Sequence, residues 1–138
     1  MTAYCDSSVL VRFILDQPEQ LKRLEECGEL VTSTVAQVEC LRAIENARLR
    51  GEIDADAFVA RRREAYSKLS GLRQVGLSQA VLRRAQEPFG ISLKALDAIH
   101  VATAVLWRDR RTPDVVFATH DRQQARAATV LGFEVIGI

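Results

Sequence analysis

The sequence predicts an α/β fold, a three-layer α/β/α sandwich around a central, mostly parallel sheet of four to five strands. Short apolar runs of β type alternate along the chain with longer segments of helical periodicity. The clearest strand run, Val115 to Ala118, is apolar throughout, which is typical of a strand covered on both faces. A length of 138 residues with 48% hydrophobic content predicts one domain, covering residues 1–138.

Capping residues and helix stops set the bounds of the predicted elements. Asp6 to Ser8 supply capping side chains for the first helix, and Thr34 to Gln37 resemble a capping box. Glycine and proline mark the helix ends. The predicted order is a strand at 3–5, a helix at 9–14 ended by Pro18, a helix at 19–27 ended by Gly28, a strand at 30–32, a helix from 34 to 50, a helix at 55–70, a strand at 72–75, a helix at 78–86, a helix at 93–107, a strand at 115–118, a helix at 122–131 and a strand at 134–136.

The bulk composition excludes some classes of protein. A net charge of +1 gives no field strong enough to indicate nucleic acid. No apolar stretch is long enough for a membrane span, and Asp6 and Arg12 interrupt the region where a signal peptide would be apolar. Cys5, Cys27 and Cys40 share no metal-ligand spacing, so we expect buried free thiols. The expectation is a soluble, cytoplasmic protein without membrane association.

Four carboxylates stand out because their surroundings are apolar or lie at strand ends. Glu39 follows Val38 in a helical stretch that is otherwise uncharged and apolar on its flanks, and Asp97 is the only charge between Ala95 and Trp107 in the most apolar predicted helix. Asp6 and Asp121 come just after predicted strands, at the edge where open α/β sheets bind ligands. If the two strands are neighbours, all four acids meet in one crevice.

Such a cluster predicts a divalent cation site. Like charges raise each other's pKa, so the acids need a cation to stay ionised near neutral pH. Hard oxygen ligands favour Mg²⁺ or Mn²⁺ over Zn²⁺, and such an ion supports hydrolysis of a phosphodiester. In this hypothesis Asp6 and Asp97 are the main ligands, Asp121 completes the coordination sphere or holds a second ion, and Glu39 orients the attacking water.

The same residues resemble the successive motifs of PIN domains, specifically those of VapC-type toxins. The segments that carry the resemblance are Tyr4 to Ser8, Val38-Glu39, Leu96 to Ala104 and Ala118 to Asp121, in the family's order and over essentially the whole chain. The resemblance implies a parallel sheet between helices and a Mg²⁺- or Mn²⁺-dependent ribonuclease. It also implies a homodimer and a cognate antitoxin protein that neutralises the toxin.

The resemblance also assigns individual residues. The family's four acids correspond to Asp6, Glu39, Asp97 and Asp121. Thr119 matches a small hydroxyl residue near the last acid, and Thr119 and Ser8 are expected to contact the substrate or support the acids. Gln124 departs from the pattern, because the family usually has an apolar residue there, and this leaves the packing of the last helix open.

The two histidines have alternative interpretations. His100 lies three residues after Asp97 on the same helix face, a spacing that suits a His-carboxylate metal site, but a histidine there is more often a core residue with a hydrogen-bonded neighbour. His120 faces either solvent or the substrate phosphate. Neither histidine is assigned to the site.

Competing functions have less support. A haloacid dehalogenase-type phosphatase needs a second aspartate where this chain has Ser8, and dinucleotide binding needs a glycine-rich turn after the first strand. A degenerate PIN fold that binds RNA or protein without cutting usually lacks some of the acids, and this chain has all of them. A housekeeping PIN nuclease stays open as an alternative to the toxin.

Overall fold

The computed structural model describes residues 1–15, 17, 22–111 and 113–138. Within them the chain forms five strands and six α-helices, which alternate as predicted. In chain order these are β1 (Thr2–Cys5), α1 (Ser7–Ile14), β2 (Glu29–Ser33), α2 (Thr34–Leu49), α3 (Ala55–Ser70), β3 (Arg73–Val75), α4 (Gln79–Gln86), α5 (Ala95–Arg110), β4 (Val115–Ala118), α6 (Arg122–Val130) and β5 (Glu134–Ile136). A short 3-10 helix, Lys22–Glu26, lies between α1 and β2.

The five described strands form one parallel sheet in the order β3-β2-β1-β4-β5. The chain builds from β1 outward through β2 to β3, then crosses back to the other side of β1 for β4 and β5. The direction of winding therefore reverses between β1 and β4. In an open parallel sheet this reversal opens a crevice at the carboxyl ends of the two strands.

Alternation along the central strands divides the core into two layers. Ala3 and Cys5 of β1 and Ala118 of β4 pack against α1, α2 and α3. Tyr4 and Phe117 point to the opposite face, where they stack at 5.4 Å between ring centroids and pack against α5 and α6. The strands are thus apolar on both faces, and the predicted three-layer α/β/α sandwich is confirmed.

One predicted helix differs from the structure. In place of a helix over 19–27, the described part of this segment is the 3-10 helix Lys22–Glu26. Residues 19–21 of the prediction, and Pro18 as the stop of the first helix, lie outside the described residues. α1 already ends at Ile14, where the backbone N–H of Leu15 donates to the Val11 carbonyl.

The predicted capping box at the start of α2 is also wrong. Ser33 is the N-cap, and its side chain accepts a hydrogen bond from the Val35 N–H. Thr34 is already the first helical residue, so it cannot cap the helix. The Gln37 side chain instead accepts a hydrogen bond from Gln74 of β3 at 3.4 Å. The hydroxyl of Ser33, one residue before Thr34, caps the helix instead.

The cysteines are free, but they are not all buried. Cys5 and Cys40 lie in the core, whereas Cys27 is half-buried after the 3-10 helix. The expectation of three buried thiols is therefore wrong for Cys27. Among the described residues, no helix has the length and apolar character that crossing a bilayer requires.

Candidate active site

Two of the four acids lie where the sheet winding reverses. Asp6 follows β1 directly, and its backbone N–H donates to the Ala118 carbonyl at 3.1 Å, which continues the β1-β4 pairing by one residue. Asp121 comes three residues after Ala118, as the N-cap of α6. Because β1 and β4 are parallel neighbours, both carboxylates reach the same edge of the sheet, as the sequence predicts.

Four neutral donors fix the Asp6 carboxylate, which is fully buried. Its Oδ1 accepts from the Ser8 hydroxyl at 2.6 Å and from the Val9 N–H at 3.3 Å, and so caps α1. Its Oδ2 accepts from the Thr119 hydroxyl and from the Gln124 side-chain amide, each at 2.8 Å. Ser8 and Thr119 therefore lie beside the predicted acid, and none of the four donors is a positively charged group.

The Gln124 amide connects Asp6 to a second acid. Its Nε2 also donates to Oδ1 of Asp97, at 3.0 Å, in the first turn of α5. Asp121 is connected to these residues through Thr119, whose hydroxyl accepts a hydrogen bond from the Asp121 N–H at 2.9 Å. Oδ1 of Asp121 caps α6 by accepting a hydrogen bond from the Gln124 N–H at 2.9 Å. We call Asp6, Asp97, Thr119, Asp121 and Gln124 the aspartate network.

Burial and mutual repulsion act on these aspartates. Burial raises the pKa of Asp6, although hydrogen bonds from Ser8 and Thr119 act in the opposite direction. Partial burial raises the pKa of Asp97, and the negative charges of Asp121 and Asp6 raise it further. The aspartate network therefore resists full ionisation, and positive charge placed between the carboxylates would stabilise it.

Glu39 has a different environment. Its Oε1 lies 2.6 Å from Nε2 of His100, and its Oε2 accepts from the Ser7 hydroxyl at 2.8 Å. Nδ1 of His100 bonds to the Tyr4 hydroxyl at 2.8 Å, and both rings are fully buried. An ionised carboxylate only accepts, so the Nε2–H of His100 donates to it. We call Tyr4, Ser7, Glu39 and His100 the glutamate network.

The protein itself keeps Glu39 ionised. Partial burial acts to raise the pKa of Glu39, but the hydrogen bond and charge of His100 and the hydrogen bond from Ser7 outweigh it, so the pKa is lowered. His100 is thus the hydrogen-bonded core residue of the two interpretations, with both ring nitrogens occupied by Tyr4 and Glu39. It is not available as a metal ligand in this arrangement.

The two networks meet in one crevice. Ser7, which donates to Glu39, is the residue after Asp6, and the negative charge of Glu39 contributes to the raised pKa of Asp97. The four predicted acids are therefore close enough to act on one another. The expected apolar helix face around Glu39 is wrong in one respect, because Val38 is 61% exposed.

The donor set suits a hard cation. Burial raises the pKa of Cys40 to about 12 and that of Cys5 higher still, so neither thiol supplies a thiolate ligand at neutral pH. Oxygen ligands from Asp6 and Asp97, on either side of the Gln124 amide nitrogen, are the type that Mg²⁺ and Mn²⁺ prefer.

The acids do not form a finished coordination sphere. In the part of the chain that the structure describes, no three Asp, Glu, His or Cys side chains are already arranged to hold a metal ion. The Gln124 amide lies between the oxygens of Asp6 and Asp97, and Asp121 commits Oδ1 to its helix cap. Binding an ion at this site therefore requires side-chain adjustment.

The sequence did not identify Gln124, His100, Tyr4 or Ser7 as part of these networks. For Gln124 the sequence carried a signal, because its spacing from Ala127 and Ala128 places it on the same helix face, and in the structure it is only 2% exposed. The sequence left the packing of the last helix open at this residue. In the structure the Gln124 side chain points toward Asp6 and Asp97. His120, which stays outside the networks, is hydrogen-bonded through Nδ1 to the Gly137 carbonyl at 2.7 Å.

A family model described as the PIN domain matches residues 3–130, which is most of the chain. The chain belongs to the PIN-domain family. This PIN domain is also similar to Ribonuclease VapC47 of Mycobacterium tuberculosis (strain CDC 1551 / Oshkosh), with 24% identity over 137 residues that cover 94% of this chain and 92% of that protein. The resemblance expected from the acidic motifs is therefore confirmed at the level of the family.

Solved structures support the same fold. A toxin-antitoxin complex from Klebsiella pneumoniae aligns with this PIN domain at a TM-score of 0.71 and 18% identity, covering 98% of this chain and 96% of that one. VapBC-5 from Mycobacterium tuberculosis, a member of the VapBC family of toxin-antitoxin systems, aligns at a TM-score of 0.66 and 17% identity, covering 99% and 98%. At such identities the likeness shows the PIN fold alone.

Proposed function

We propose that this PIN domain is a Mg²⁺- or Mn²⁺-dependent ribonuclease that hydrolyses RNA phosphodiester bonds. One observation carries the proposal: oxygens of Asp6 and Asp97 lie 2.8 and 3.0 Å from the same nitrogen at the sheet edge. Both acids have a raised pKa, and Asp121 and Glu39 act on Asp97 electrostatically. A divalent cation would relieve this repulsion and would polarise a phosphodiester oxygen.

The acids would bind the ion, and neighbouring hydroxyl groups orient them. Asp6 and Asp97 would hold the ion, and Asp121, through the oxygen that does not cap α6, would complete its sphere or hold a second ion. Ser8 and Thr119 fix the orientation of Asp6 through their hydroxyls. These bonds prevent the main ligand from rotating away from the crevice.

Glu39 would orient the attacking water. His100 and Ser7 hold one oxygen each, and each carboxylate oxygen keeps a further lone pair for a water hydrogen. In the reaction a bond forms between the water oxygen and phosphorus, and the bond from phosphorus to the leaving ribose oxygen breaks; the attacking water loses a proton to solvent, and the ribose oxygen takes up a proton from solvent. Glu39 suits this role because its lowered pKa keeps it an acceptor.

The biological setting is the toxin of a VapBC-type system. The curated relative is a VapC ribonuclease by name, and two of the aligned structures are a toxin-antitoxin complex and a VapBC family member. We therefore propose a cognate antitoxin that neutralises the enzyme, and a homodimer as the toxin's own assembly. The free thiols of Cys5, Cys27 and Cys40 agree with a reducing cytoplasm.

The test is cleavage of total cellular RNA by purified protein in Mg²⁺, in Mn²⁺ and in EDTA. We expect discrete fragments with either ion and none in EDTA. Asp97→Asn should slow cleavage by at least about 100-fold, because metal ligation supplies several kcal/mol of transition-state stabilisation.

Asp109→Asn is the matched control for Asp97→Asn. It makes the same chemical change on the same helix, but Asp109 is exposed and paired with Arg108 outside the crevice. Its cleavage rate should equal that of the wild type. Wild-type cleavage that continues in EDTA, or an Asp97→Asn protein as active as Asp109→Asn, would contradict the proposal.

A further inference from the structure

The Gln124 side chain is a buried polar group that has no role in the proposed hydrolysis. It is 2% exposed, on the inward face of α6. A side-chain amide carries two N–H groups, and here the same nitrogen donates to Asp6 at 2.8 Å and to Asp97 at 3.0 Å. The amide thus places the positive end of its dipole between two carboxylates that repel each other.

The other end of the amide is unsatisfied. Within the described residues, Oε1 of Gln124 is buried without a hydrogen-bond partner. A buried unpaired acceptor is unfavourable, so something must hold the amide in this orientation. Turning the amide over would direct its oxygen at the oxygens of Asp6 and Asp97, which repel it. The two carboxylates therefore determine which way the amide points.

We propose that Gln124 stabilises the aspartate pair when no cation is bound and turns its amide over when one binds, so that Oε1 faces the cation. The inference rests on the proposed metal-dependent function and adds Gln124 to that site. Positive charge between Asp6 and Asp97 repels the NH₂ group and attracts the carbonyl oxygen. The turn costs Oε1 no existing hydrogen bond, and amide carbonyls are common ligands of hard cations.

This exchange predicts that one variant has a larger effect on stability without Mg²⁺ than with it. Gln124→Met keeps the side-chain length but cannot donate, so in EDTA the variant should melt at a lower temperature than the wild type. At saturating Mg²⁺ a water molecule takes the place of the missing Oε1 beside the ion, because Mg²⁺ usually keeps several waters, and the ion compensates the carboxylates, so the difference in melting temperature should narrow. By linkage the variant must then bind Mg²⁺ more tightly, by about three- to tenfold for one lost competing donor.

Gln123→Met is the matched control, because Gln123 is the exposed neighbour on the same helix. Its melting temperature and Mg²⁺ affinity should match the wild type in both conditions. A Gln124→Met protein whose deficit is the same with and without Mg²⁺ would overturn the exchange, since Gln124 would then be a purely structural residue.

The decisive experiment observes the side-chain NH₂ signals of Gln124 in ¹⁵N NMR spectra of the wild type, assigned by their loss in Gln124→Met. In EDTA these protons should be protected from solvent exchange. On titration with Mg²⁺ the signals should shift, because the protons leave the two carboxylates, while those of Gln123 stay unchanged. The Asp6→Asn protein should show no such response.

Two other outcomes are separable. If backbone signals around Asp97 shift with Mg²⁺ but the Gln124 NH₂ signals keep their position, the ion binds without the amide exchange, and only this inference fails. If no signal of the wild type responds to Mg²⁺ or Mn²⁺, the metal-dependent function fails and the inference fails with it.

Discussion

The aspartate network and the glutamate network hold acids at the same sheet edge by different means. Neutral donors surround Asp6, and its pKa is raised by burial. Glu39 is hydrogen-bonded to a histidine, and its pKa is lowered in spite of partial burial. The protein therefore supplies hydrogen-bond donors that keep the glutamate ionised and leaves the aspartates to be neutralised by a bound ion.

This difference separates ion binding from water activation. A carboxylate whose negative charge is not offset by the protein is stabilised most by a bound cation. A carboxylate that accepts a hydrogen bond from water must stay ionised whether or not the ion is present. The central position of β1 allows both, because Asp6 and Ser7 are adjacent residues that serve different networks.

The largest expected difference is in metal affinity. Asp6→Asn should weaken Mn²⁺ binding by at least about 100-fold, because even partners of metal ligands contribute 10- to 100-fold. Glu39→Gln should change Mn²⁺ affinity by less than about threefold while RNA cleavage falls as strongly as in Asp6→Asn. Isothermal titration with Mn²⁺, paired with cleavage rates, measures both. Equal losses of affinity in the two variants would erase the distinction between the networks.

His100→Leu should have the next largest effect, and on stability. The change leaves Tyr4 and Glu39 without a shared partner in the core, so the free energy of unfolding should fall by about 3 kcal/mol. Urea denaturation measures it. Tyr4→Phe, which removes only the hydroxyl, should cost about 1 kcal/mol.

The same variant also checks that the networks are separate. Because both ring nitrogens of His100 are hydrogen-bonded to Tyr4 and Glu39 and neither to an aspartate, a folded His100→Leu protein should bind Mn²⁺ nearly as well as the wild type, while its cleavage rate falls through misorientation of Glu39. A loss of Mn²⁺ affinity comparable to that of Asp6→Asn would show that the glutamate network also organises the metal ligands.

Local signals explain which elements were predictable. The run Val115 to Ala118 is apolar at every position, and Ala55 to Ser70 has helical periodicity, so the bounds of β4 and α3 match the prediction. The segment at 19–27 has no comparable pattern, and only a 3-10 helix is described there. At Ser33 and Thr34 two adjacent hydroxyls could each cap α2, and sequence alone did not choose between them.

The acids were predictable for a different reason than their partners. A carboxylate in apolar surroundings is conspicuous in a sequence, and all four lie at the crevice. The bond from Tyr4 to His100 joins residues 96 positions apart and depends on how α5 packs on β1. Gln124 meets Asp6 across a comparable separation. No local pattern encodes such contacts, which is why the networks emerge only from the packing.

Gly137→Ala should disturb the aspartate network from outside it. Gly137 has φ +104°, and a Cβ there would collide with the Thr119 carbonyl. Because the Thr119 hydroxyl donates to Asp6, we expect a loss of about 2 kcal/mol in stability and a measurable loss of Mn²⁺ affinity. Gly51→Ala is the control: φ is +76° but the space is open, so only strain of about 1 kcal/mol is expected and Mn²⁺ binding should not change.

The smallest effect is the pH dependence of stability, in which the two networks have opposite signs. The pKa of Asp97 is raised in the folded state, so in EDTA its contribution to stability decreases as pH rises from the unfolded value near 3.8 through the folded pKa. The pKa of Glu39 is lowered, so its contribution is fully present above about 4.5 and is lost as pH falls through the folded pKa.

Unfolding free energies measured by urea titration between pH 3 and pH 7 should therefore change slope in opposite directions in two variants. Asp97→Asn should remove part of the decrease on the neutral side, and Glu39→Gln should remove part of the loss on the acid side. The amides themselves do not titrate, so any lost hydrogen bond offsets the whole curve without altering its slope. Mg²⁺ should flatten the wild-type decrease that Asp97→Asn removes, because the bound ion keeps the aspartates ionised. If both variants change the slope in the same direction, the two networks share one electrostatic environment, and the division between ion binding and water activation is wrong.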